Sequence, residues 1–248
     1  NPNDNMAGSY LGLEFTQNQI ENELKSIGAN YEIADYEDLI NKTSEYLSKE
    51  KAIGWFQGRM EFGPRALGGR SILGDPRSDK MQKNLNLKVK YRESFRPFAP
   101  SILREDLKRW FDIDVDSPYM LLVADINLEK QIKMTDEEKK LFGIDKLNIK
   151  RSEIPAVTHV DYSARIQTVN KNYNKRYYDL ISKFKEKTGC PVIVNTSFNV
   201  RGEPIVNSPT DAFNCFMGTE LDFLVIGDCI LDKKKQNQNL KKDYTKEF

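Results

Sequence analysis

Positively charged side chains suited to binding a small anion are concentrated in residues 51–100. Eleven lysines and arginines against four acidic residues leave this stretch at +7, whereas the whole chain of 248 residues carries only +1. A cationic centre in a nearly neutral protein is typical of a site for a polyanionic small ligand or of a localised nucleic-acid patch. General adhesion to nucleic acid would need a basic surface overall, which this composition does not provide.

The alternating positions of Lys88, Lys90 and Arg92 predict a strand with three cations on one face, followed by Arg96. Such cations repel one another unless an anion or a carboxylate lies between them. A guanidinium suits phosphate oxygens and an ammonium is a compact positive charge, so we predict an anion site here. The alternative is a solvated edge strand whose lysines prevent aggregation.

The loop from Gly58 to Arg65 has the spacing of a P-loop, but it is not one. Pro64 and Arg65 replace the Lys-Ser/Thr pair, and Pro64 has no N–H to donate to a phosphate. We interpret the loop as a rigid turn that directs Arg65 and Arg70 inward. The alternative is a structural loop whose arginines form salt bridges, and the local sequence does not decide between the two.

Small polar residues follow a predicted buried strand at 191–194. Asn195, Ser197 and Asn199 would lie at the carboxyl end of that strand, where open α/β sheets bind ligands, and Arg201 adds a cation. The alternative is a polar turn held by side-chain hydrogen bonds.

The only histidine, His159, shares a face of a predicted strand with Asp161, where it would act as an acid, a base or a phosphate ligand. A hydrogen-bonded structural histidine is at least as well supported. Arg165 and Gln167 share a face of the next strand and would extend a phosphate pocket, unless they are simply exposed. A single histidine excludes a metal site within this chain that needs two.

The composition favours a globular α/β domain, with 39% hydrophobic and 30% charged residues. No apolar run approaches the roughly 20 residues needed to span a bilayer. Three cysteines without a C-x-x-C pair favour reduced thiols and a cytoplasmic location. The opening Asn1-Pro2-Asn3 lacks the features of a signal peptide, and we expect a piece of a longer protein.

The elements that would position these residues alternate between the two types of secondary structure. We predict helices at 16–27, 36–51, 79–87, 174–187 and 208–217, and strands at 52–56, 88–92, 120–126, 156–160, 165–169, 191–194 and 221–231. Residues 57–77 are predicted as a loop, and the strand at 120–126 as buried on both faces. We expect a helical connector at 1–50, one domain at 51–232 with a polar surface insertion at 127–152, and a basic mobile tail at 233–248.

Taken together, the chain resembles the nodulation-type and antibiotic-tailoring O-carbamoyltransferases. The resemblance runs from about residue 10 to residue 231, in matching blocks at 54–68, 70–73, 75–77, 95–100, 155–161, 195–199 and 202–206. The first long block, 54–68, and the last, 195–199 through 202–206, are too specific to be expected by chance. Tyr162 stands where the family pattern leads us to expect a glycine.

The resemblance implies a YrdC-like fold, a twisted mixed sheet with flanking helices and a concave nucleotide-binding face. Lys90-Tyr91-Arg92 and Ser197-Phe198-Asn199 match the Lys-x-Arg and Ser-x-Asn patterns of that fold. The implied ligands are carbamoyl phosphate and ATP with Mg²⁺. The implied reaction is loss of phosphate followed by adenylation of the carbamate, which gives carbamoyl adenylate and pyrophosphate.

The resemblance also implies the roles of the side chains. Catalytic roles fall to Lys90, Arg92, Ser197 and Asn199. Residues implied to bind the donor or the nucleotide are Arg65, Arg70, Arg96, His159, Arg165, Asn195 and Arg201. No metal ligand is assigned, because related enzymes hold the metal and the acceptor in a larger N-terminal domain that resembles the ASKHA-type ATPases and is not found in this sequence.

Two further interpretations stay open. One is a YrdC-like module that binds RNA or nucleotide without turnover, although the cations lack the interleaved exposed aromatic residues of nucleic-acid sites. The other is a regulatory domain that binds nucleotide only. Small-molecule substrates and no membrane partner are expected, and a homodimer is compatible with the sequence.

Overall fold

A computed structural model describes residues 5–147, 149–241 and 244 of this protein. The strands are β1 (Glu32–Ile33), β2 (Ile53–Phe56), β3 (Arg70–Gly74), β4 (Ala99–Leu103), β5 (Leu122–Asp125), β6 (Ser163–Val169), β7 (Val192–Ser197), β8 (Phe223–Ile226) and β9 (Cys229–Asp232). They form one mixed sheet in the order β1-β9-β8-β2-β3-β7-β4-β6-β5. The predicted α/β class, a mixed sheet with flanking helices, is therefore confirmed.

The helices begin and end largely where their capping residues predict. They are α1 (Gln17–Ser26), α2 (Tyr36–Ser48), α3 (Met81–Lys88), α4 (Leu107–Trp110), α5 (Asp136–Lys139), α6 (Gly143–Leu147), α7 (Lys175–Thr188) and α8 (Pro209–Gly218). Thr16 forms the predicted capping box of α1, and Gly189 ends α7 in the left-handed conformation. None of these described helices is long and apolar enough to cross a membrane.

Helices cover both faces of the central strands. The hydroxyl of Tyr177 in α7 donates to Ser101 of β4 at 2.9 Å, so α7 lies on the face that Ser101 shares with Asn195. On the opposite face, a side chain at Gly74 would meet Met81 of α3 at 2.8 Å. Strand β7 is consequently fixed from both sides.

Several predicted strands are wrong. Residues 88–92 are the end of α3 and a turn, because Tyr91 adopts a left-handed φ of 47° that breaks the extended alternation. Residues 156–160 form a short 3-10 turn and a loop. The expected strand at 221–231 is a hairpin of β8 and β9, which turns at Gly227.

Two further expectations about the sheet are corrected. The strand predicted at 120–126 as buried on both faces is the edge strand β5, in which Val123 remains 61% exposed. The stretch predicted as one loop at 57–77 contains β3, a central and fully buried strand. Its paired neighbours, β2 and β7, supply the burial that its own short sequence did not reveal.

Contacts join the segments on either side of the predicted domain boundaries. Within the expected connector, β1 extends the sheet beside β9, and α2 packs against α7. The insertion at 127–152 contains the short helices α5 and α6. The expected mobile tail is anchored at its start, because Gln236 donates to the carbonyl of Asn30 at 2.7 Å. Residues 1–4, 242–243 and 245–248 lie outside the described residues.

Candidate functional site

A buried carboxylate shapes the loop that carries Arg65. Glu61 accepts hydrogen bonds from the backbone N–H groups of Leu67 at 2.6 Å, Gly69 at 2.7 Å and Arg70 at 3.1 Å. Backbone N–H groups that converge on a carboxylate form strong, charge-assisted bonds. The loop is therefore held in one conformation, and Glu61 is a structural residue that the sequence reasoning missed.

The same loop is pressed against α7 at Gly68. This residue has a φ of +104°, and a side-chain carbon here would lie 2.4 Å from the ring of Tyr177. Only glycine fits such an approach. The hydroxyl of Tyr10 donates to the carbonyl of Leu67 at 2.7 Å, so the N-terminal segment also fixes the loop.

Arg70 has a different role from the one predicted. Its side chain is fully buried, and its guanidinium donates to the carbonyls of Gln57, Gly69, Leu13 and Gly58. It also lies 3.5 Å from the centroid of the Phe56 ring, and burial lowers its pKa to about 10. Arg70 therefore joins backbone segments together, and we no longer assign it to ligand binding.

Asn195 and Arg165 lie on one face of the sheet at the same level. The register of β7 with β4 pairs Asn195 with Ala99, and the register of β4 with β6 pairs Ser101 with Gln167. Continuing the second register by two residues brings Arg165 beside Ala99. Two strand spacings separate Asn195 and Arg165, about 10 Å between Cα atoms. The small side chain of Ala99 lies between them.

Arg65, Arg165 and Asn195 form what we call the arginine pocket. Asn195 Nδ2 donates to the carbonyl of Ala66, the residue after Arg65, and burial followed by the positive charge of Arg65 lowers the pKa of Arg165. Among the described residues, the Nε atoms of both arginines and the Oδ1 atom of Asn195 are buried without a hydrogen-bond partner. Buried polar atoms are normally paired, so this group is suited to a ligand that supplies the missing partners.

Lys90, Ser197 and Asn199 form a second group, the lysine centre. The ammonium of Lys90 donates to the backbone carbonyl of Ser197, and to the carbonyl and Oδ1 of Asn199 at 2.9 and 2.8 Å. The hydroxyl of Ser197 lies 3.2 Å from the ammonium and donates to Asn199 Oδ1 at 2.7 Å. Burial lowers the pKa of Lys90 to about 7, whereas this set of acceptors favours the ammonium, which alone has three N–H donors.

The two groups are connected by strand β7. Asn195 and Ser197 are two residues apart on the same face, which separates their Cα atoms by about 7 Å. The lysine centre thus closes the carboxyl end of the strand, next to the arginine pocket.

Three further predicted cations surround Glu93 beside the lysine centre. Arg96 pairs with Glu93 at 3.0 Å, and the charges of Arg96, Arg201 and Arg92 all contribute to lowering the pKa of that carboxyl group, after its own backbone hydrogen bond. Arg92 donates to Asn86 Oδ1 at 2.6 Å. Burial, then the charge of Arg96, lower the pKa of Arg92. These arginines form a basic rim at the end of α3.

His159 lies in a turn and does not share a strand face with Asp161 as predicted. Burial, assisted by the charge of Arg165, lowers the pKa of His159 against the opposing effect of Asp161. The turn requires a left-handed φ of 67° at Tyr162, which explains why a glycine is expected at that position.

A cleft of about 510 Å³ adjoins His159. Its cationic lining comes from Lys83, Lys150 and Arg151, and Phe95 and Pro97 add apolar surface. This volume falls within the range of small-molecule sites, roughly 300–1,000 Å³.

The structure therefore brings all the predicted site residues except Arg70 into neighbouring groups. Arg65, Arg165, Asn195 and His159 lie on one side, and Lys90, Arg92, Arg96, Ser197, Asn199 and Arg201 lie on the other. Sequence reasoning missed Glu61, Tyr10 and Asn86. For Glu61 the signal was available, since an acid between Gly58 and Gly63 is well placed to bind the N–H groups of a tight loop.

The comparisons with known proteins define the class of the chain. Residues 44–233 match the family model described as "Carbamoyltransferase C-terminus", and the chain belongs to this family. The match includes every residue of the arginine pocket and of the lysine centre.

Individual relatives agree with this assignment. The uncharacterized protein sll1178 of Synechocystis is 57% identical over 95% of this chain and 38% of its own length. Nodulation protein NolNO of Sinorhizobium fredii is 38% identical over 94% of this chain and 32% of its own. The 3'-hydroxymethylcephem-O-carbamoyltransferase of Streptomyces clavuligerus is 35% identical over 75% of this chain and 31% of its own length. The chain thus spans about a third of the length of these relatives.

A distant likeness exists to a solved structure, full-length HypF in a phosphate- and nucleotide-bound form. It covers 74% of this chain and 20% of that protein, at 16% identity and a TM-score of 0.41. A likeness this weak carries no conclusion about the site.

Proposed function

We propose that this chain binds carbamoyl phosphate and ATP and forms carbamoyl adenylate, which a carbamoyltransferase passes to an acceptor hydroxyl. The observation that carries the proposal is the arginine pocket, in which Arg65 and Arg165 each keep a buried Nε donor without a partner among the described residues. Membership of the carbamoyltransferase C-terminus family supports the carbamoyl group as the cargo.

The arginine pocket holds the phosphate of the donor. Two cations that repel each other are stabilised by an anion between them, and the guanidinium fork matches phosphate oxygens. Arg65 and Arg165 fit this role because neither makes a hydrogen bond or ion pair through its side chain within the described part of the chain. The family resemblance of these positions points the same way.

The nucleotide lies across the basic rim and the cleft beside His159. Arg92, Arg96 and Arg201 face the triphosphate, and the cleft, with Phe95 and Pro97 in its wall, has room for the rest of the nucleotide. Lys90 acts as a positioning residue, since its ammonium holds Ser197 and Asn199 in place.

The chemistry consists of two displacements. Water replaces phosphate at the carbamoyl carbon, which gives carbamate and inorganic phosphate. A carbamate oxygen then attacks the α-phosphorus of ATP, the bond to the β-phosphate oxygen breaks, and pyrophosphate leaves. Both steps build negative charge on phosphate oxygens, so fixed cations rather than a covalent nucleophile supply the stabilisation.

Mg²⁺ is assigned to the nucleotide and not to a protein site. Mg²⁺ would enter on the phosphates of ATP, as part of the substrate, and neutralise charge on the leaving pyrophosphate.

Transfer to the acceptor is assigned to an additional ASKHA-type domain. A reactive carbonyl must be kept from water while the hydroxyl is positioned, and the groups described above do not provide such an enclosure. We propose a cytoplasmic enzyme, in keeping with three free, buried cysteines.

The test is pyrophosphate release from ATP by this chain, with and without carbamoyl phosphate. We expect release that depends on carbamoyl phosphate and falls roughly 30-fold or more in Arg165→Met, because a half-buried cationic partner of the phosphate is lost. The matched control is Arg109→Met, which removes an exposed arginine and should leave the rate unchanged.

Release that ignores carbamoyl phosphate would contradict the activation chemistry. Nucleotide binding without any pyrophosphate release would instead favour the module that binds nucleotide or RNA without turnover. RNA binding would be recognised by an affinity that falls steeply with salt.

A further inference from the structure

The orientation of the Asn195 amide is determined by a backbone carbonyl. Asn195 Nδ2 lies 3.0 Å from the carbonyl oxygen of Ala66, which can only accept a hydrogen bond. That end of the amide must therefore be the nitrogen. The same nitrogen donates to Gln167 Oε1 at 2.9 Å, so both of its hydrogens are used.

Gln167 is oriented by the same logic. Its Nε2 donates to the carbonyl oxygen of Leu67 at 2.8 Å, which leaves Oε1 as an acceptor for Asn195 and for the hydroxyl of Ser101 at 2.6 Å. Gln167 thus bridges the Arg65 loop, strand β4 and strand β7. If Asn195 turned over, its oxygen would face the oxygens of Ala66 and Gln167.

The consequence is one fixed, unpaired acceptor. Five buried side-chain N or O atoms lack partners among the described residues, and four of them are Nε donors of arginines. The fifth is Asn195 Oδ1, the one acceptor in this set. Arginine donors match the oxygens of an anion. An amide carbonyl oxygen repels the oxygens of an anion and instead accepts a hydrogen bond from an N–H group.

We propose that Asn195 Oδ1 selects the amino group of the donor, and that Gln167 is a positioning residue which, together with the carbonyl of Ala66, holds Oδ1 in place for it. The ligand recognised is then an acyl phosphate whose carbonyl carries NH₂, with its phosphate on Arg65 and Arg165. An acyl phosphate with a methyl group in place of NH₂ leaves Asn195 Oδ1 unpaired. The inference rests on the proposed function, because it concerns the same pocket.

The experiment compares two ligands of nearly equal size by calorimetry, carbamoyl phosphate and acetyl phosphate, with inorganic phosphate as a third probe. We expect the wild-type chain to bind carbamoyl phosphate about 10-fold to 100-fold more tightly than acetyl phosphate, the effect of leaving one buried acceptor unpaired. In Asn195→Ala the ratio should fall to within about two-fold, because the acceptor is removed. In Gln167→Met the ratio should fall by a smaller factor, because Asn195 Nδ2 keeps its bond to Ala66 but loses the second bond that fixes the amide. Asn172→Ala, at an exposed asparagine, is the control and should keep the wild-type ratio.

The ratio of the two affinities distinguishes selection of the amino group from a purely structural role. A general loss of folding would weaken the binding of both ligands alike and leave the ratio unchanged. If Gln167→Met does not fold, Ser101→Ala removes one partner of Gln167 and should lower the ratio by a smaller factor. Equal binding of carbamoyl and acetyl phosphate by the wild-type chain would overturn the inference and leave phosphate binding in the pocket intact. Failure of all three probes to bind would overturn the proposed function, and the inference with it.

Discussion

The arginine pocket and the lysine centre share strand β7 but differ in how their polar atoms are satisfied. In the lysine centre, the buried ammonium of Lys90 meets oxygens of Ser197 and Asn199 within hydrogen-bonding distance. In the arginine pocket, two guanidinium groups lie close enough to affect each other and keep unpaired Nε atoms. The first group is complete within the protein, and the second keeps buried polar atoms that no described residue pairs.

This difference separates two kinds of buried cation. A cation that is paired within the chain contributes to folding, and its removal exposes the cost of its unpaired partners. A cation without a partner lowers the stability of the free protein, and that cost is recovered when an anion binds. The contrast predicts opposite responses to the same substitution in the two groups.

The largest effect is expected for Lys90→Met. Loss of the ammonium leaves half-buried oxygens of Ser197 and Asn199 without this donor, which should lower the free energy of unfolding by about 2–5 kcal/mol. Urea denaturation measures this, with Lys187→Met at an exposed lysine as the matched control. Unchanged stability in Lys90→Met would show that Lys90 does not hold the two residues in place.

Arg165→Met should show the reverse behaviour. Removing a half-buried cation that has no side-chain partner among the described residues should change the free energy of unfolding by less than about 1 kcal/mol, or raise it. The affinity for inorganic phosphate should nevertheless fall by roughly 30-fold or more. Denaturation and calorimetry on one preparation test both parts. A large loss of stability with unchanged phosphate affinity would show that Arg165 supports the fold and does not bind phosphate.

A smaller effect is expected from the pH dependence of His159. Burial and the charge of Arg165 lower its pKa in the folded protein, so the unfolded chain takes up this proton first as the pH falls below about 6.5. The free energy of unfolding should therefore decrease between pH 7 and pH 5.5. Denaturation at both pH values should show a weaker decrease in His159→Gln. An equal decrease in the variant would show that other titrating side chains cause the loss of stability.

The smallest effect is expected for Tyr162→Gly. The left-handed φ of 67° costs a tyrosine roughly 1–2 kcal/mol, while glycine increases the entropy of the unfolded chain by a similar amount. The two contributions should cancel to within about 1 kcal/mol, and phosphate affinity should stay unchanged. A loss of phosphate affinity would show that this turn reaches into the arginine pocket.

The sequence predicted the elements whose signals are local. The capping box at Thr16 and the helix end at Gly189 formed as expected, and the polar residues after 191–194 lie at the end of a buried strand. The alternation of cationic and apolar residues at 88–92 led to the prediction of a strand. A helix end followed by a turn produces the same pattern. Strand β3 was missed because its burial comes from neighbours distant in sequence.

The roles of Arg65 and Arg70 could not be separated from the sequence. Both lie in the stretch predicted as one loop and both keep a buried Nε atom without a partner, yet Arg70 also donates to four backbone carbonyls through its other nitrogens. The difference depends on Leu13 and Gln57, which the fold brings to Arg70. Long-range packing of this kind leaves no trace in the spacing of residues.

The most direct measurement is a crystal structure of the chain with carbamoyl phosphate. The predicted result has the phosphate bound to Arg65 and Arg165 and the amino group donating to Asn195 Oδ1, while the contacts of Lys90 stay as they are. A donor phosphate bound elsewhere, with Arg65 and Arg165 still unpaired, would contradict the proposed site.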